Sequence, residues 1–142
     1  SFRGFASSDM TGVAPNNNAV KINIASESYD SHGAWASSKF TAPIAGKYHV
    51  SSMIAVLGTN VLNNYYQVAI FKNAAAYSYG PIVKPASTDL LWIGISDTVD
   101  CAATDYIEIY LYGSGNNSAS TLTVDGATNG DRSYVSINKV GD

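Results

Sequence analysis

Few side chains in this sequence are equipped for covalent or acid–base chemistry. Its 142 residues include two histidines, His32 and His49, and one cysteine, Cys101. A nucleophilic site needs a hydroxyl or thiol next to a base. Serine is abundant, but no G-x-S-x-G turn presents one. His32 stands in Asp30-Ser31-His32-Gly33 and reads as a surface loop residue. His49 follows Tyr48 in an extended run and reads as a strand residue at a sheet surface or an interface. Cys101 alternates with Val99, the pattern of a buried, inert thiol, and a lone cysteine rules out an internal disulfide framework. Asp125, Asn129, Gly130 and Asp131 superficially follow a calcium loop. Ala127 takes the third ligand position, however, and Ser136 the place of the bidentate Glu, so a turn is the better reading. No phosphate-cradling glycine loop or dinucleotide fingerprint occurs. The sequence argues against an enzyme.

Aromatic and small polar residues are plentiful instead. There are ten tyrosines, and charged residues make up 13% of the chain, about half the usual quarter. The polar surface must therefore be built from Ser, Thr, Asn and Gly. The net charge of −3 and a pI near 5.1 exclude a basic nucleic-acid footprint. No polybasic or amphipathic helix is available to bind anionic lipid, and no apolar run reaches the roughly 18 residues that membrane insertion requires. Such a low-charge surface suits an extracellular or virion protein. The chain opens Ser1-Phe2 without Met or a signal peptide, which reads as a piece of a longer polypeptide. Asn116-Asn117-Ser118 is a glycosylation sequon, relevant only in a eukaryotic secretory setting.

The elements that must position these residues are short strands. The stretch 39–57 enters a corner at Pro43, where φ is fixed and the N–H is missing, turns at Gly46 and leaves as a long strand. Along that strand Tyr48, Val50, Ser52, Ile54 and Val56 share one face. Residues 19–24 alternate Val20, Ile22 and Ile24 against Lys21 and Asn23. Strands follow at 65–72, within 74–84, at 90–99, 106–112, 121–124 and 133–140. In 106–112, Ile107, Ile109 and Leu111 point inwards, and Tyr106, Glu108, Tyr110 and Tyr112 outwards. Residues 10–18 and 27–38 read as turn-rich connections, and 125–131 as a hairpin-type connection rich in Gly and Asn. No capped helical periodicity and no repeat is seen, so residues 1–142 form one all-β domain of about ten strands, a sandwich or jelly roll.

The run Phe40-Thr41-Ala42-Pro43-Ile44-Ala45-Gly46-Lys47-Tyr48, F-T-A-P-x-A-G-x-Y, resembles the signature of the C1q-type globular head, which shares its jelly-roll superfamily with tumour necrosis factor. The resemblance extends along nearly the whole chain. It takes in the aromatic opening at Phe2 and Phe5, the V-A-I-F-K-N strand ending in a Lys-Asn turn, and the closing strand around Tyr134. Asp105 sits where that family has Asp after a Gly, here Thr104, and Ser136 stands where it has Gly. The resemblance implies a C1q/tumour necrosis factor-like jelly roll in which one sheet of each protomer packs about a three-fold axis. It names no ligand, because the superfold serves many partners. Calcium enters only through it, with Asp97, Asp100 or Asp105 as candidate loop carboxylates, Asp105 being better read as a turn residue capping backbone N–H groups.

A homotrimer needs an apolar yet soluble face, and tyrosine provides one. The expected interface comprises Phe2, Phe5, Tyr65, Phe71, Tyr106, Tyr110, Tyr112 and Tyr134. Ligand contacts are expected in Asn-rich loops, at Asn16, Asn17, Asn60, Asn63, Asn116 and Asn117. The partner would be a cell-surface glycan or a protein receptor. Low charge and Ser/Asn/Gly richness favour the tip of a phage or other viral fibre or spike. A secreted bacterial or eukaryotic C1q-like module and a purely structural trimerisation domain are the alternatives.

Overall fold

The computed structural model describes residues 1–58, 65–87, 89–115 and 121–142. Among the described residues there are thirteen strands and no helix, hence none long and apolar enough to cross a membrane. They are β1 (Phe2–Phe5), β2 (Met10–Val13), β3 (Asn18–Lys21), β4 (Ser26–Asp30), β5 (Trp35–Ala36), β6 (Lys39–Thr41), β7 (Gly46–Leu57), β8 (Tyr65–Lys72), β9 (Ala75–Tyr79), β10 (Leu91–Cys101), β11 (Tyr106–Ser114), β12 (Leu122–Val124) and β13 (Tyr134–Gly141).

Two sheets pack face to face, with all the described strand pairs antiparallel. The first is built on β7. Strand β10 pairs along its whole length on one side. On the other side β13 and β12 lie end to end, with β1 and β4 beyond β13 and β2 beyond β12. The second sheet is built on β11. Strands β8 and then β9 flank it on one side, β6 and β3 share the other, and β5 lies beyond β6.

The expected alternation positions this core. Tyr48, Val50, Ile54 and Val56 of β7, Val68 and Ile70 of β8, and Ile107, Ile109 and Leu111 of β11 are all buried between the sheets. Each such aliphatic side chain contributes roughly 1.5–3 kcal/mol by leaving water. Ser52 is buried among them because its hydroxyl donates to the Tyr134 carbonyl at 2.8 Å. An aromatic cluster closes one end: Phe2 stacks on Trp35 at 4.3 Å, and Phe40 packs edge-on to Tyr48 at 5.5 Å.

Two adjoining turns secure the F-T-A-P corner. The Ala42 N–H donates to the Asp105 carbonyl (2.8 Å) and the Thr104 N–H donates back to the Ala42 carbonyl (2.9 Å). Thr104 has φ +75°, a left-handed conformation occupied here by a β-branched residue. The Lys-Asn turn is a two-residue hairpin with positive φ at Asn73 and Ala74.

Three expectations are corrected. Residues within 10–18 and 27–38 form β2, β4 and β5 as well as turns, which raises the strand number from about ten to thirteen; β2 and β4 are edge strands, which need no apolar alternation. The 125–131 segment is no hairpin, because β12 and β13 do not pair with each other; both run along the same side of β7. Residues 125–133 are an excursion from that shared line, and the Ser133 hydroxyl fills the gap, accepting from the Ala55 N–H (3.0 Å) and donating to the Asp125 carbonyl (2.8 Å). Finally, Phe2 is fully buried against Trp35 and is core, not interface.

Candidate functional site

The two sheets leave two outer faces of different chemistry. On the second sheet, Tyr106, Glu108, Tyr110 and Tyr112 point outwards from β11 beside Tyr65, Gln67, Ala69 and Phe71 of β8, as the alternation predicts. Yet Ala69 is fully buried and Glu108 is 7% exposed. The cause is a layer of rings. Phe71 and Tyr110 stack with centroids 3.9 Å apart and planes 19° apart. The Glu108 carboxylate is paired with the Lys21 ammonium at 2.6 Å, and that ammonium also donates to the Ser37 carbonyl at 3.0 Å. Burial beside this carboxylate pushes the Tyr110 phenol above its ordinary pKa. Lys39 lies over the Tyr106 ring at 4.8 Å.

At the other end of the same face the rings are spread. Tyr112 sits 6.2 Å from Tyr65 at 42° and 6.0 Å from Tyr79 at 79°. Desolvation, with the Tyr65 phenol in hydrogen-bonding reach, raises the Tyr112 pKa. Tyr79 is 49% exposed. It was absent from the expected set. The Lys72-Asn73 turn was the available signal, since folding β9 back along β8 places Tyr79 opposite Ala69.

The outer face of the first sheet is a grid in register. Tyr134, Met53 and Gly94 lie side by side on β13, β7 and β10. Ser136, Ser51 and Ser96 form the next row, and Asn138, His49 and Thr98 the third. No Asp, Glu, Lys or Arg stands at any of these positions. Ser96 Oγ lies 3.3 Å from His49 Nε2. Charge borders the grid: Arg3, opposite Ser136 on β1, stacks over Tyr134 at 4.8 Å, and Arg132 lies 5.9 Å from the ring of the exposed Trp92. The serine row was missed, although it follows from the same alternation that buries Val50 and Ile54.

The expected interface set is thus divided. Tyr65, Phe71, Tyr106, Tyr110 and Tyr112 share the second sheet's outer face, whereas Phe5 and Tyr134 pair with each other on the first sheet's outer face. Of the expected ligand residues, Asn17 is a clamp: its N–H donates to the Gly113 carbonyl, and its side chain exchanges hydrogen bonds with the Gly115 backbone. The Asn16 N–H donates to the Ala14 carbonyl. Asn60, Asn63, Asn116 and Asn117 lie outside the described residues.

Asp105 does cap backbone. One oxygen accepts from Asn73 Nδ2 (2.8 Å), the other from the Ala102 N–H (2.9 Å) and the Lys72 ammonium (2.9 Å). These bonds, the one from Asn73 largest, hold its pKa at about 2. Asp97 accepts from the Thr98 N–H. The Asp105 carboxylate, with both oxygens engaged, does not fit the role of calcium ligand, and no group of three acidic, His or Cys side chains is gathered for a metal among the described residues. Cys101 is buried, and its thiol is pushed up in pKa by that burial, as expected of an inert thiol.

No family model and no curated protein matches the chain. The two-sheet arrangement is an all-β jelly roll of the C1q/tumour necrosis factor type. In particular, it is similar to the globular domain of zebrafish complement 1qA protein (TM-score 0.68, 8% identity, covering 98% of this chain and 95% of that one). It is also similar to the tumour necrosis factor Eiger from S. frugiperda (TM-score 0.70, 9% identity, covering 99% and 92%).

Proposed function

We propose that this chain is a non-enzymatic, homotrimeric binding head. It assembles through the first sheet's outer face and presents the second sheet's aromatic face outwards. The observation that carries this reading is the grid on β13, β7 and β10, in which no Asp, Glu, Lys or Arg stands. Depletion of charge at the centre, with aromatic, Met and Arg side chains around it, is the composition of a subunit interface. A flat patch of serines lets another backbone come close. The second sheet's rings, by contrast, already pack on one another and cover a Lys–Glu pair. Phe5 and Tyr134 remain interface residues in this reading, and the other expected tyrosines become ligand-facing.

Its setting is the extracellular space or a virion surface, as the receptor- or glycan-recognising tip of a phage or viral fibre. What supports this is the low charge, the Ser/Asn/Gly-rich surface and the resemblance. A secreted C1q-like module would share the same geometry. Light scattering over a range of protein concentrations tests the assembly. A mass three times 15.0 kDa is expected, and a monomer throughout would overturn the reading.

A further inference from the structure

We infer that Tyr65, Tyr79 and Tyr112 form a cradle for a neutral carbohydrate. The inference deepens the binding-head reading and rests on it. Two kinds of aromatic contact coexist on this face. Phe71 and Tyr110, 3.9 Å apart and nearly parallel, have closed on each other. The three tyrosines are not stacked: Tyr112 lies 6.2 Å from Tyr65 at 42° and 6.0 Å edge-on to Tyr79 at 79°, so the rings meet as a corner. Tyr79 forms one wall and is half exposed. A pyranose has an apolar C–H face and a rim of hydroxyls. A corner of phenols meets both, ring faces against C–H groups and O–H groups against the rim.

Charge points the same way. The corner is built from tyrosines with no Asp, Glu, Lys, Arg or His among them, and Gln67, directly opposite Tyr112, adds an amide whose NH2 donates to the Gly80 carbonyl at 2.8 Å. The ion pair on this face, Lys21–Glu108, is already closed upon itself. The three tyrosines and Gln67 offer no cation to neutralise a phosphate, a sulfate or a sialic acid carboxylate, Lys39 lying over the Tyr106 ring at the other end of the face, and a neutral sugar needs no such group.

The test uses the intact protein, isotopically labelled, titrated by NMR with the methyl glycosides of glucose, galactose, mannose and N-acetylglucosamine. At least one should shift Tyr65, Tyr79, Tyr112 and Gln67 together, with millimolar affinity. Tyr79→Ala should weaken it at least tenfold, and Tyr79→Phe, which keeps the ring, by less. Silence with all four glycosides, shifts confined to other residues, or an undiminished response in Tyr79→Ala would overturn the inference. So would a response confined to sialyl or sulfated sugars. The two readings fail separately: a trimer silent to every glycoside removes only the cradle, and a monomer that still shows the four-residue response removes only the trimer.

Discussion

The two outer faces are made by the same rule and end differently. Both come from strands whose alternate residues fill one core, so the outward residues of each are free to be chosen for something else. On the second sheet they are large rings that cover their own strands, leaving Ala69 and Glu108 buried on the outside of the sandwich. On the first, beyond the Tyr134–Met53 row, they are Ser51, Ser96, Ser136, His49 and Asn138, which build no comparable ring layer. A face that has built its own outer layer is finished as a surface. One that has not, and that has no Asp, Glu, Lys or Arg at its centre, is suited to being covered by another molecule. On the proposed reading, assembly belongs to the first sheet and recognition to the second.

The largest effect that could break the comparison is at the centre of the grid. Ser51→Arg should abolish the trimer, read as a fall in solution mass to that of one chain, because each interface would bury an unpaired guanidinium. Tyr110→Asp should leave the mass unchanged. The reverse pattern would exchange the roles of the faces. The next effect concerns the claim that the aromatic layer buries real charge. Lys21→Met leaves the Glu108 carboxylate without its partner at 9% side-chain exposure and should cost about 1–3 kcal/mol in urea unfolding. Adding Glu108→Gln should restore most of it, and full additivity of the two losses would contradict the pairing.

Smaller effects lie at the turns that carry both faces. Thr104→Gly should stabilise the fold by about 1 kcal/mol, raising the thermal midpoint, since it relieves a β-branched residue at φ +75°. The smallest is the pH dependence of Asp105. Its folded pKa of about 2 lies below the ordinary 3.8, so its contribution is complete above about pH 4 and is lost as pH falls through 2. Asp105→Asn should flatten that part of the stability profile and leave the rest alone.

Much of this was legible in the sequence because strand alternation is local. The inward set of β7, β8 and β11 and the Pro43–Gly46 corner follow from period and turn chemistry alone. The failures are all matters of register between strands distant in sequence. Phe2 and Phe5 read alike in F-R-G-F, but their separation of three gives them opposite faces, and only pairing with β13 and β4 shows which is core. Ala69 does point outwards, but its burial appears only once Tyr79 and Tyr110 arrive on either side of it. Asn129-Gly130 looks like a hairpin turn until β12 and β13 prove to be collinear on β7. Asn17 looks like a ligand contact because nothing local shows that the backbone at 113–115 consumes its amide. The serine row needs three strands brought into register before it exists at all.

Hydroxyl-radical footprinting of the native oligomer, read residue by residue by mass spectrometry, tests the division of labour most directly. Met53 and Tyr134 should be protected, and Tyr79 should be modified freely. Modification of Met53 and Tyr134 with protection of Tyr79 and Tyr112 would place assembly on the aromatic face and contradict the account.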